Sequence, residues 1–129
     1  MIFFKLIVLC VLLIVSLGFT SNIERLALVI GQNKGLVSER PLAFAEKDAE
    51  RISQALSKNS FFEDDNIVKL YGSGANEVRQ AFAELKGRLY ELKRQNKQTL
   101  FLAYYSGHGS KEGLHIQGEV LSKYELKSL

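Results

Sequence analysis

The chain of 129 residues has one cysteine, one proline and no tryptophan. A single thiol cannot close an internal disulfide, so the fold has to rest on a hydrophobic core without a covalent staple. One proline and ten glycines exclude collagen-like and proline-rich architectures. An excess of one charge is missing as well: 17 basic and 14 acidic residues give +3 and interleave along most of the sequence, with no basic face carrying aromatics. That pattern argues against a nucleic-acid partner. What remains is ordinary globular material, 47% hydrophobic and 24% charged, in a length suited to one domain of modest size.

Much of the hydrophobic total sits at the N-terminus, where Leu6 to Leu17 is an apolar run broken only at Ser16. Behind the lone Lys5 it reads as the core of an export signal, and Ser16-Leu17-Gly18 places small residues where a signal peptidase inspects the chain. Residues 1–20 are therefore expected to be a signal peptide or, counted from Ile2 to Phe19, a membrane anchor. A buried first helix is the third reading. The implied location is exported, either periplasmic or secreted, or else membrane-attached through residues 2–19. Cys10 lies inside this segment and reads as apolar filler, so the exported part carries no thiol.

From Asn22 onward, short apolar runs alternate with longer amphipathic ones in the order β, α, β, α, β. This is the sequence signature of a parallel sheet covered by helices. Leu26 to Ile30 is apolar on both faces, as the centre of such a sheet requires. Pro41 suits a first helical turn, and Leu42, Ala45, Ala49, Ile52 and Leu56 then recur at helical spacing. Ile67 to Tyr71 is a second strand. Gly72-Ser73-Gly74 turns the chain into a second helix with Asn76 as its expected cap and Val78, Phe82, Leu85, Leu89 and Leu92 as its stripe. Thr99 to Tyr105 is the third strand, Glu112 to Gly118 suggests a small hairpin, and Ser122-Lys123-Tyr124-Glu125 is a capping box that announces another helix.

The third strand runs into Ser106-Gly107-His108-Gly109-Ser110, where the chemistry concentrates. In open α/β sheets working groups lie beyond the carboxyl ends of the strands. Flanking glycines permit unusual backbone angles and let a substrate carbonyl reach a bare N–H. Other sites fail on their residues. Tyr104 stands where a serine-hydrolase elbow needs glycine, so Ser106 is not a nucleophile. Gly31-Gln32-Asn33-Lys34-Gly35 fits neither phosphate-binding glycine pattern, and His108 and His115 alone make no recognisable zinc set. No cofactor and no metal is therefore expected, and His115 reads as a strand residue. The loop from Gln32 to Arg40 borders the expected cleft. There Arg40 could meet an acidic substrate side chain, and Glu39 or Asp48 a basic one, while a solvated surface charge is an equally good reading of each.

Three stretches carry a resemblance: Ala27 to Asn33; Pro41-Leu42 with Ala45, Asp48-Ala49 and Leu56; and Tyr104-Tyr105-Ser106-Gly107-His108-Gly109. Together they resemble the large-subunit region of caspase-like cysteine peptidases, especially the bacterial metacaspase-like branch, over residues 24–129. The resemblance implies a three-layer α/β sandwich with a mainly parallel central sheet flanked by helices. It also implies that His108 is the catalytic histidine and that the Gly109 backbone N–H is one oxyanion donor. The chemistry it implies is acyl transfer, in which a thiolate attacks a peptide carbonyl and the imidazole manages the protons. The substrate is then a peptide or protein.

The nucleophile of that family follows the next strand in an Asp-x-Cys-x-Ser/Ala-Gly context, which does not occur in this sequence. The last capping box leaves only Lys123 to Leu129 for its helix, so the catalytic domain is expected to be incomplete at its C-terminus, with the cysteine in a missing portion or partner domain. Two alternatives stay open. One is an inactive pseudoprotease of the same fold. The other is a small exported α/β binding module whose His108 loop grips a ligand.

Overall fold

The structure is a computed structural model that describes residues 22–58 and 61–127. The expected signal or anchor at residues 1–20 lies outside the described residues. The element order is β1 (Glu24–Gly31), α1 (Ala45–Lys58), a single 3-10 turn (Asp64–Asn66), β2 (Ile67–Tyr71), α2 (Ala75–Arg94), β3 (Thr99–Ser106), β4 (Gly113–Ile116), β5 (Glu119–Ser122) and α3 (Lys123–Leu126).

β1 lies in the middle of a three-stranded parallel sheet of order β2-β1-β3. Its position follows from its composition, since Leu26 to Ile30 are all buried and only a strand covered on both faces can use an unbroken apolar run. Alternate residues go to opposite faces. Ala27 and Val29 pack with Ala49 of α1, Phe62 and Ile67, while Leu26, Leu28 and Ile30 pack with Val78, Ala81 and Leu85 of α2. The two helices thus cover opposite faces, which makes the expected three-layer α/β sandwich. The β4-β5 hairpin belongs to the α2 side, where Ile116 and Leu121 join the core.

The helix starts correct two expectations. Pro41 and Leu42 do not open α1, which begins at Ala45. The Leu42 amide instead donates to the Asn33 carbonyl at 2.8 Å, and Asn33 Oδ1 accepts from the Glu46 amide at 3.2 Å. An orphan first-turn N–H is therefore satisfied by a side chain from the loop after β1, so Pro41 is held in that loop and not in the helix. Asn76 is not the cap of α2. Gly74 holds that place, its amide donating to Glu77 Oε2 at 3.0 Å, and Asn76 Oδ1 accepts from Arg79 at 3.2 Å. The Ser122 box forms as expected, with Glu125 accepting from the Ser122 amide and Ser122 Oγ from the Glu125 amide.

Arg79 ties the two halves of the α2 face together. Its Nη1 meets Glu119 Oε2 on β5 at 2.9 Å, and its Nε meets Glu125 Oε1 on α3 at 2.9 Å. The guanidinium, followed by the Ser122 amide and hydroxyl, holds the Glu125 carboxyl down to about 2. The outer edge of β3 has no strand beside it among the described residues, and Leu100 on it is exposed.

Leu28→Ala, in the centre of β1, should cost about 2–5 kcal/mol, read as a lower urea midpoint with an unchanged m-value. Val37→Ala, at a fully solvated loop position, should fall within about 0.5 kcal/mol of the parent. The carboxyl of Glu125 is lowered on folding, so its contribution is fully present above its ordinary value of 4.5 and is lost as pH falls towards about 2. Urea midpoints measured from pH 5 to pH 2 should drop less in Arg79→Gln than in the parent. Parallel profiles would contradict the pairing.

Candidate active site

Parallel pairing sets β1 and β3 side by side with Gly31 opposite Ser106, and the next bond, from the Gln32 amide to the Ser106 carbonyl at 2.9 Å, continues the alignment past both strand ends. From there the chain leaves β1 towards the α1 face and leaves β3 towards the α2 face. Such a divergence opens a crevice at the carboxyl ends of adjacent strands. The loop of residues 32–44 and the segment of residues 107–112 form its two walls.

His108 sits on the β3 wall, two residues beyond the strand. Its ring crosses to the opposite wall, where Nε2 is 2.8 Å from the Arg40 carbonyl oxygen. A carbonyl can only accept, so Nε2 carries the hydrogen and, in the neutral ring, Nδ1 keeps its lone pair. The side chain packs closely on Gly35, where an added Cβ would stand 2.7 Å from His108 Cδ2 and 2.0 Å from Glu39 Oε2. No other residue leaves room for the imidazole there.

The backbone of His108 is fixed from below. Its carbonyl accepts from the His115 amide at 3.0 Å and lies 2.7 Å from the Tyr105 hydroxyl, which also comes within 3.0 Å of the His115 carbonyl. Burial, with the Glu39 charge adding to it, pushes the Tyr105 phenol up to about 12, so it stays a donor at any ordinary pH. Gly107 is small because Tyr105 folds back under it: a Cβ would be 2.3 Å from the Tyr105 oxygen. Neither Gly107 nor Gly109 has positive φ, which among the described glycines belongs to Gly72 and Gly118. The expected use of the flanking glycines for unusual angles is therefore replaced by close approach at Gly107.

Gly109 pairs with Leu114 in an isolated antiparallel bridge. The flanking bonds run from His115 N to His108 O and from Ser110 N to Gly113 O, so Gly109 occupies the position whose own N–H points away from the hairpin. The outward N–H of the exposed Gly109, next to the half-buried His108, is a donor that can polarise a carbonyl while an imidazole moves a proton.

A family model of the caspase domain matches residues 24–128. The chain belongs to the caspase domain family. No curated protein and no solved structure matches it.

Within this caspase domain, the loop charges of the cleft sort differently from their sequence readings. Arg40 enters the site through its backbone carbonyl. Asp48 lies on the solvent side of α1, paired with Arg51 at 3.5 Å. Glu39 turns inward: Oε2 accepts from the Leu36 amide at 2.7 Å and Oε1 from His115 Nδ1 at 2.7 Å. The Leu36 amide holds its carboxyl below the usual range; burial, the next largest influence, opposes it, and His115 and then His108 add smaller lowering effects. His115 is the strand residue expected of it, but a buried one with a partner. Sequence reasoning placed Arg40 and Glu39 beside the cleft through their side-chain charges, and missed the Arg40 carbonyl, the inward bonds of Glu39 and the supporting role of Tyr105. The signal for Tyr105 was a polar-tipped aromatic near the end of an apolar strand.

On the outer side of the same loop is an open groove of about 420 Å³, bordered by Lys34, Val37, Glu39 and Gln117. Its rim includes the Glu39 carboxylate but not His108. Replacing Tyr105 by Phe leaves the ring in place and removes the donor beneath both histidine carbonyls. We expect a loss of about 1–3 kcal/mol in urea unfolding. A change within about 0.5 kcal/mol would mean the hydroxyl contributes nothing there.

Proposed function

We propose that this caspase domain is the histidine-bearing part of a cysteine endopeptidase of the metacaspase-like branch, acting on peptides or proteins outside the cytoplasm. His108 is the general base and acid of the reaction. The observation that supports this most directly is the bond from His108 Nε2 to the Arg40 carbonyl, because it fixes the hydrogen on Nε2 and leaves Nδ1 as the basic nitrogen of the ring.

The chemistry follows from that tautomer. A thiol in the crevice gives its proton to Nδ1, and the imidazolium is stabilised by its remaining N–H bond to Arg40. The thiolate sulfur bonds to the peptide carbonyl carbon, and the resulting oxyanion accepts from the outward N–H of Gly109. Collapse of the intermediate breaks the C–N bond as Nδ1 returns the proton to the leaving amine. Water, deprotonated by the same nitrogen, then hydrolyses the thioester.

The thiol comes from outside this sequence, whose one cysteine is Cys10. The unpaired edge of β3 supports the same reading. Beside it, Leu28, Phe82, Phe101 and Leu114 line an apolar groove of about 290 Å³, a surface that a further strand with its crossover would cover. A parallel strand added there would bring its carboxyl end next to His108. Residues 1–20 serve as the export signal or as the anchor that keeps the domain at a membrane.

The complete reading frame that encodes this chain is the protein to test. It should cleave fluorogenic peptides in a reaction blocked by iodoacetamide, and His108→Ala should lower kcat/KM by at least about a hundredfold. Full activity in that variant would remove His108 from the mechanism. A folded, thiol-free, inert product would favour the pseudoprotease reading.

A further inference from the structure

The imidazole of His108 depends on a carbonyl that no secondary structure holds. Arg40 lies in the irregular part of the loop after β1, and the hydrogen bonds that shape that part converge on its neighbour. Glu39 Oε2 takes the Leu36 amide and Oε1 takes His115 Nδ1, both at 2.7 Å. The Glu39 amide also donates to the Leu36 carbonyl at 2.9 Å, closing a tight turn on both sides. At the base of the loop the turn of the β4-β5 hairpin adds two bonds, from the amides of Gln117 and Gly118 to the carbonyls of Lys34 and Gly35.

His115 stands at the junction. Its side chain is 8% exposed and carries the bond to Glu39, while its backbone amide carries the bond to the His108 carbonyl. One residue of β4 thus contacts both walls of the crevice. A carboxylate can only accept, so His115 Nδ1 must be the donor, and a hydrogen bond to a carboxylate is among the stronger ones.

We propose that Glu39 and His115 are a pair of positioning residues that hold the Arg40 carbonyl against His108 and thereby set the tautomer and orientation of its ring. The inference rests on the peptidase reading of His108 for its consequence, but not for its test. With the pair intact, the loop cannot drift from the hairpin that also fixes the His108 backbone, so the two halves of the Nε2–H···O bond stay in register. Without it, no side chain ties the stretch beside Arg40 to β4, and what remains are backbone bonds on either side of it: Glu39 to Leu36, the hairpin turn to Lys34 and Gly35, and Leu42 to Asn33.

The test is made on this chain itself, with ring-nitrogen NMR of its two histidines at neutral pH, since the shifts distinguish protonated from bare nitrogens. Wild-type His108 should be a single Nε2–H tautomer. Glu39→Ala should convert it to a mixture of both tautomers, and Glu39→Gln, which can accept from only one of the two partners, to a smaller degree. Lys97→Gln, which breaks the ion pair with Glu24 at the amino end of β1, the opposite end of the sheet from the loop, should leave the His108 signals unchanged. A single Nε2–H tautomer in folded Glu39→Ala overturns the proposal; if that variant does not fold, the same result in Glu39→Gln does. In the complete frame, Glu39→Ala should lower kcat on the order of tenfold with little change in KM. Because the tautomer is read without a thiol, absence of peptidase activity would count against the proposed function and leave this outcome intact.

Discussion

The parallel register between β1 and β3 is the constraint on which the site depends. Gly31 opposite Ser106, followed by the Gln32–Ser106 bond, brings two segments more than seventy positions apart to one line. Once aligned, they must diverge, because the helices they lead to lie on opposite faces of the sheet. The imidazole of His108 occupies the space this divergence leaves. A one-residue slip would reverse the faces of β1, turning Leu26, Leu28 and Ile30 from α2 to α1 and Ala27 and Val29 from α1 to α2.

The hairpin after His108 gives the crevice its rigidity. β4 contributes Ile116 to the core, the His115 amide to the His108 carbonyl and the His115 ring to Glu39, so one short strand serves packing, backbone position and loop position at once. Arg79 holds the turn end of the same hairpin through Glu119 at the start of β5. The His108 ring is thus carried on a backbone held by the hairpin and by the Tyr105 hydroxyl.

Much of this was legible in the residues. Unbroken apolar runs gave the strands, the 3.6-residue spacing gave α1 and α2, and Ser122 with Glu125 gave α3, because each signal is a local consequence of backbone geometry. His108 between glycines at the end of an apolar strand could be picked out for the same reason. The errors were at boundaries decided by distant partners. Pro41 suited a helix start, but the Asn33 side chain satisfies the first turn of α1 from across the loop; Asn76 suited a cap, but it faces Arg79.

The sequence by itself determined the layered α/β class, the place of the histidine beyond β3 and the lack of any cysteine after Cys10, since these follow from periodicity and composition. Tertiary structure decided which loop atoms the histidine meets. Arg40 joins through a carbonyl, which every residue has, so its side chain gave no hint. Glu39 and His115 looked like a surface charge and a strand residue, and only the folding of the loop onto the hairpin, 76 positions apart, makes them partners. A contact of that separation leaves no periodic trace, because it is fixed by where the sheet ends and not by the residues next in line.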